Sequence, residues 1–169
     1  KAAVRPPKGA DILLVQSGAL LPDHSLLKAM SQNYDVQAFS GVPLKSNGAK
    51  KSAASQAKAM RLAAANAGAD YVVCVWGTLE TAEGELPGEA VSWIPVGGQF
   101  VPDKQKATRI NLTAIVVNVS NGQWTSVSST PVIRDHVSAP LNRTAAWAKQ
   151  VEALKAQAYP KLADAITRA

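Results

Sequence analysis

The sequence predicts an α/β (α+β) fold in which three helices pack on a mixed parallel and antiparallel sheet of about five to six strands. Apolar runs at Ala10–Gln16 and Tyr71–Trp76 are typical of strands buried on both faces. Alanines recur at helical spacing across Ala49–Ala67, which predicts a helix lying close to a sheet. The dipeptide Asn121-Gly122 between two strand patterns predicts a hairpin. The expected element order is β-α-β-α-β-β-β-β-α.

Composition indicates one folded domain. The chain has 169 residues, of which 47% are hydrophobic and 18% charged, a globular rather than disordered composition. We expect residues 10–169 to form this domain and residues 1–9, with two prolines and three basic residues, to be a flexible tail or tether. The sequence contains neither an apolar stretch long enough to cross a membrane nor a signal peptide.

The first half of the chain alternates strands and helices. A helix is expected to begin at Pro22–Asp23 and to close at Asn33, and a strand with two-residue periodicity follows at Tyr34–Ser40. Gly77 lies within the long strand that begins at Ala69, where it predicts a bulge or a close backbone approach. From Thr78 onward apolar and polar residues alternate, so one face of the strand is expected to be exposed to solvent there.

The second half is expected to contain antiparallel strands and a final helix. The predicted segments are the strands Glu89–Ile94, Thr108–Val119 and Trp124–Thr130, an irregular stretch 131–140, and the helix Asn142–Arg168. Pro160 should kink or split that helix. Its apolar stripe is expected to comprise Trp147, Val151, Leu154 and Ala158.

Residues with catalytic potential are few. Cys74 is the single cysteine and lies in an apolar strand, so a small buried hydrophobe is the better interpretation than a nucleophile. The sequence has no Gly-x-Ser-x-Gly elbow and no phosphate-binding glycine loop. We therefore predict no catalytic residue, no metal site and no cofactor. One alternative is a small hydrolase or ligand-binding enzyme that uses the loop after the first strand, with Ser17 and His24.

The formal net charge of +6 is dispersed along the chain. Solvated helix faces explain it better than a nucleic-acid surface does, because no block of five or six basic residues occurs. Weak polyanion binding through Lys51, Lys58, Arg61 and the basic residues of the last helix is a second alternative.

Specific residues give a family resemblance. The helix ends in Gly68-Ala-Asp-Tyr71, the next strand reaches Gly77-Thr78, and a long strand at Ile110–Val119 is followed by Asn121-Gly122. Over residues 10–168 this arrangement resembles the domain shared by the CsgG and LpoB lipoproteins and the amino-terminal domain of TolB. The resemblance implies a non-enzymatic lipoprotein domain of a Gram-negative bacterium, periplasmic or anchored to the outer membrane by a lipid placed before residue 1.

The resemblance also implies an accessory or interaction role in envelope assembly, with an envelope protein as the partner. Nucleic acid is not expected to bind, and the chain could form a homo-oligomer. The expected recognition surface lies on the glycine- and proline-containing stretch 96–106 and its neighbour. Its candidate residues are Trp93, Phe100, Val101, Lys104 and Lys106. Loop aromatic and aliphatic residues rimmed by lysines can anchor a protein partner; a loop without such a role is the alternative.

Overall fold

The structure is a computed structural model that describes residues 4–42, 53–81, 107–135 and 143–168. The predicted fold class and element order are confirmed. The elements, in chain order, are β1 Asp11–Gln16, α1 His24–Met30, β2 Asp35–Phe39, α2 Ala53–Asn66, β3 Tyr71–Thr81, β4 Ala107–Asn118, β5 Trp124–Ser128, β6 Val132–Asp135 and α3 Arg143–Arg168.

The sheet is parallel at one end and antiparallel at the other. Its strand order is β2-β1-β3-β4-β5, and β6 also pairs with β4. β1 is parallel to both β2 and β3, since the helices α1 and α2 carry the chain back between these strands. β4 is antiparallel to β3 along its length and to β5 through a tight hairpin. The hairpin predicted at Asn121-Gly122 is thereby confirmed, with Gly122 at a positive φ of 71°.

One face of the sheet carries the main hydrophobic core. Here α1 and α3 cover inward-facing residues of β1, β3 and β4, among them the fully buried Leu14. The predicted stripe of α3 is confirmed, because all four of its members are buried: Trp147, Val151, Leu154 and Ala158. We call this surface the main face of the sheet.

The opposite face, which we call the minor face, is covered by α2 and has a much smaller core. Its buried members are Leu13, Val15, Ala64, Ala69 and Val72. The alanines let the helix approach the strands closely, as the sequence predicted. Farther along this face, beyond α2, Trp124 of β5 is exposed, as expected for a strand near the sheet edge.

Several local predictions need correction. The segment after Pro131 is not irregular, because Val132–Asp135 forms β6 against β4. Pro160 does not split α3. Its neighbours Tyr159 and Leu162 are buried while Pro160 itself is exposed, so packing holds the helix together across the proline. The predicted strand Glu89–Ile94 lies outside the described residues.

The structure also refines the predictions for Gly77 and for the end of α1. Pairing between β3 and β4 continues without a bulge through Gly77, opposite Leu112. A Cβ on Gly77 would lie 2.8 Å from the Leu112 side chain, so the close approach is confirmed. Helix α1 ends at Met30 with Ser31 as its C-cap, before the expected Asn33.

The residues before β1 lie against the domain from Val4 onward. Val4 is buried in the main core, and the Gly9 amide donates a 2.7 Å hydrogen bond to the Asn33 carbonyl. The boundary predicted at residue 10 stays a prediction. Gly9 is thus held at the amino-terminal end of β1, opposite the end at which Gln16 lies.

Candidate functional site: a closed polar cluster beside an apolar rim

Gln16 ends β1 on the main face and is a buried polar residue at the end of an apolar strand. Its Oε1 accepts a 2.6 Å hydrogen bond from the Asp23 amide, and its Nε2 donates to Asp23 Oδ2 at 3.2 Å. Both polar ends of the side chain are thus satisfied, as a buried amide requires. The contacts fix the loop that joins β1 to α1.

Asp23 is the N-cap residue of α1, yet its carboxylate does not cap the helix. Instead it faces α3, where Tyr159 donates a hydrogen bond to Oδ2 at 2.5 Å and Lys155 Nζ lies 3.0 Å from the same oxygen. Lys155 also contacts Glu152, one turn earlier on the helix, at 3.2 Å. One carboxylate therefore joins the start of α1 to the middle of α3.

The electrostatics of this cluster favour its charged form. Burial alone would raise the pKa of Asp23, but hydrogen bonds from Tyr159, Lys155 and Gln16 and the charge of Lys155 outweigh burial and lower it. Burial alone would lower the pKa of Lys155, and the two carboxylates of Asp23 and Glu152 reverse this and raise it. Burial and the neighbouring Asp23 raise the pKa of the Tyr159 hydroxyl, so it stays a donor.

The space beside the cluster is small. Gln16, Lys155 and Tyr159 line it from one side, and Trp76, Gly77 and their apolar neighbours from the other. Its volume of about 10 Å³ is close to the minimum that holds one water molecule. The carboxyl ends of parallel strands are where open α/β sheets usually bind ligands. Within the described part of the chain, that position is occupied by Gln16, Asp23, Lys155 and Tyr159.

An exposed apolar surface lies next to the same loop. It comprises Leu20, Leu21, Phe39 and Val42, with exposed fractions of 73%, 63%, 40% and 43%, and we call it the apolar rim. Its two segments are joined by backbone hydrogen bonds from the Gly18 amide to the Gly41 carbonyl, 3.2 Å, and from the Gly41 amide to the Ala19 carbonyl, 2.9 Å. Glycine is required at position 41, because a Cβ there would overlap the Gln16 carbonyl oxygen.

The residues of the predicted partner surface lie outside the described residues: Trp93, Phe100, Val101, Lys104 and Lys106. It stays a prediction. Of the alternative enzyme site, the Ser17 amide donates to the Val75 carbonyl and His24 is the exposed first residue of α1. The carboxylate beside them, Asp23, is directed into the closed cluster.

The described basic residues of the polyanion alternative differ in their surroundings, and on α3 Lys155 is paired with Asp23. Arg61 donates to the Val119 carbonyl at 2.7 and 3.3 Å, and thus holds α2 to the β4–β5 hairpin. Lys58 is exposed, whereas Lys51 lies outside the described residues. Cys74 is half-buried in the sheet, and burial raises the pKa of its thiol, in agreement with an inert role.

The described residues contain neither a metal-binding cluster nor a membrane-spanning helix. No group of three or more His, Cys, Asp or Glu side chains is arranged to hold a metal ion. None of the helices in this part of the chain has both the length and the apolar character needed to cross a membrane.

The sequence points to the loop after β1, but it does not single out the carboxylate, lysine and tyrosine that the structure joins there. By sequence Asp23 is expected at a helix start, and Lys155 and Tyr159 lie within the predicted helix Asn142–Arg168 outside its apolar stripe. The one available signal was Gln16, a polar residue at the end of a buried strand. Its partners on α3 are more than a hundred positions away, so no local pattern links them.

Comparison with solved structures gives several similar chains. A PelC dodecamer from Paraburkholderia phytofirmans shares 13% identity at a TM-score of 0.39, covering 96% of this chain and 94% of that one. A Xanthomonas campestris protein of family DUF330 shares 17% identity at 0.41, covering 99% and 93%. A Neisseria meningitidis lipoprotein shares 18% identity at 0.37, covering 88% and 99%. At these values the likenesses give this chain neither an assembly state nor a partner.

None of the curated proteins compared with this sequence matches it. A family model described as a bacterial lipoprotein matches residues 1–169. The expectation of a bacterial lipoprotein is thereby confirmed, whereas the closer kinship with CsgG, LpoB and TolB stays a prediction. The chain belongs to the YafT bacterial lipoprotein family.

Proposed function

We propose that this chain is a non-enzymatic interaction domain of an envelope lipoprotein that serves as an accessory factor in envelope assembly. The observation that carries the proposal is the closed cluster at the carboxyl end of β1. The position where an α/β sheet would hold a substrate contains Asp23, Lys155 and Tyr159, bonded to one another. A carboxylate held this way stabilises the fold and is poorly placed to act on a bound molecule.

The apolar rim supports an interaction role. Its four large side chains are exposed together at one end of the sheet, while most exposed apolar residues on soluble proteins are scattered singly. The chain reaches β1 at the opposite end of the sheet, where the Gly9 amide bonds to the Asn33 carbonyl. A lipid anchor before residue 1 would therefore leave the rim pointing away from the anchoring membrane, toward other envelope proteins.

Site-specific photo-crosslinking in cells that express the full-length protein tests this proposal. The photoreactive residue replaces Leu21 of the rim or, as control, Leu62 of α2, whose exposed fractions of 63% and 61% are matched. We expect a discrete crosslinked protein from position 21 and none from position 62. Equal labelling from both positions, or none from either, would contradict a specific interaction at the rim.

The proposed location is the periplasmic side of the envelope, with the protein held at the outer membrane by its lipid. Growth of cells with an alkyne-tagged fatty acid, followed by separation of inner and outer membranes, measures both features. We expect labelled protein in the outer-membrane fraction. An unlabelled protein in the soluble fraction would argue against anchoring.

The loop surface predicted from sequence is tested separately. Pull-down from envelope extract should lose the partner when Phe100→Ala and Val101→Ser are introduced. Unchanged partners would exclude that surface and leave the rim. A hydrolytic activity that disappears in Ser17→Ala or His24→Ala would instead favour the enzyme alternative.

A further inference from the structure

We propose that the outer edge of β2 binds an extended, apolar and acidic segment of a partner protein as an additional strand of the sheet. This inference deepens the proposed interaction function and rests on it. β2 is the terminal strand of the sheet, and among the described residues it pairs only with β1.

The backbone geometry identifies which groups are offered at this edge. The Asp35 amide donates to the Ala10 carbonyl, which precedes β1, so Asp35 is directed toward β1. Successive residues of a strand direct their backbone groups to opposite sides. The amides and carbonyls of Val36 and Ala38 therefore point outward. These are the groups to which an added strand would bond.

The side chains of β2 do little to prevent another strand from pairing with this edge. Natural edge strands are usually blunted by lysines, prolines or bulges. β2 has none of these, and Asp35 is its single charged residue. Ala38 and Phe39 are exposed, and Phe39 also belongs to the apolar rim. A strand added here would continue directly from the backbone edge onto the rim.

The size of the edge favours a peptide segment over a second copy of this chain. Five residues make an edge about 17 Å long. Pairing two such edges gives a contact much smaller than the roughly 1,600 Å² of a stable protein interface. An extended peptide needs only backbone pairing and one or two side-chain pockets.

The charge of the chain points the same way. Its formal net charge of +6 makes two copies repel and favours acidic over basic segments through the field of the whole chain, while at the strand itself the one charged residue is Asp35. The occupant that fits best is thus an extended stretch in which apolar residues, seated on Phe39 and its rim neighbours, alternate with acidic ones.

A displayed library of random twelve-residue peptides is the first probe. Selection on the wild-type protein should enrich alternating apolar and acidic sequences, and selection on Ala38→Pro, which removes one outward amide, should not. The matched control is Trp124→Ser, which alters an exposed apolar residue at the opposite edge of the sheet. This variant should enrich the same peptides as wild type. Circular dichroism would verify that each variant is folded.

Synthetic versions of the enriched peptides test the backbone bonding without altering the protein. Methylation of alternate peptide nitrogens removes the donors that face β2 and should weaken binding about tenfold or more, whereas methylation of the other set should not. Hydrogen exchange at the Val36 and Ala38 amides should slow when the unmethylated peptide binds.

Three results would overturn the inference: no enrichment, equal enrichment on Ala38→Pro, or Val36 and Ala38 amides already protected in the free monomer. Protection of these amides that appears only when the protein dimerises would assign the edge to a second copy of the chain. That result would also overturn the inference. If Leu21 still captures a protein in cells under any of these results, the interaction function stands and only the strand-addition mode falls.

Discussion

The two faces of the sheet are built differently although the same strands form both. On the main face, two helices cover a continuous core that extends from Val4 to Ile166. On the minor face the buried core has five members, two of them alanines, and one of these, Ala64, is contributed by α2 itself. The difference indicates that most of the folding free energy lies on the main face, since apolar burial is the dominant favourable contribution.

Adjacent leucines on β1 give the largest test of this difference. Leu14 is buried on the main face and Leu13 on the minor face. We expect Leu14→Ala to lower the free energy of unfolding by about 4 kcal/mol and Leu13→Ala by about 2 to 3 kcal/mol. Urea denaturation measures both. Equal losses would mean that the two cores contribute alike.

The polar cluster lies at the edge of the main face, and removing its cation should be the next largest effect. Lys155→Met leaves the Asp23 carboxylate without its ion pair, and we expect a loss of about 2 to 3 kcal/mol. The control is Arg168→Met, which breaks the exposed pair with Asp164 and should cost below about 1 kcal/mol. If both substitutions had the same small effect, the cluster would not join α1 to α3.

A test of close packing sharpens the account of the minor face. Ala64 of α2 is fully buried against the sheet, while Ala65 on the same helix is exposed. Ala64→Leu should separate the helix from the sheet and destabilise the protein by about 1 to 3 kcal/mol. Ala65→Leu should change the unfolding midpoint little. An unchanged stability with leucine at position 64 would indicate that α2 packs only loosely on the sheet.

The pH dependence of stability should show the smallest of these effects, and its sign follows from Asp23. Its pKa in the folded protein is below the ordinary value of 3.8, so its contribution is fully present above that value and is lost as the pH falls through the folded pKa. We therefore expect the stability difference between wild type and Asp23→Asn to shrink on acidification below about pH 4. Chemical denaturation at a series of pH values measures it. A difference that does not change with pH would show that the carboxylate charge contributes nothing.

The fold was predictable where burial and local chemistry agree. β1, β3 and the hairpin after β4 follow from apolar runs and from Asn121-Gly122, which act through neighbouring residues. β6 was missed because it is only four residues long, follows Pro131 and contains Arg134 and Asp135. Its pairing with β4 decides its structure, and that pairing is not visible in its own sequence.

The candidate site was less predictable than the fold. Asp23 has the residue type and position of a helix cap, and sequence rules assign it that role. Only the packing of α3 on the main face brings Tyr159 and Lys155 to it and changes its bonding. The apolar rim was likewise invisible, because Leu20 and Leu21 precede a helix and look like ordinary loop residues until their exposure is known.

Gly41 has a consequence for how fast and how tightly the rim could bind. Its missing side chain allows the two loop segments to be fastened by backbone hydrogen bonds before any partner arrives. A surface ordered in advance loses little conformational entropy on association. Recognition there would resemble the docking of two rigid bodies, and a bulkier residue at this position would weaken it without touching any contacting atom.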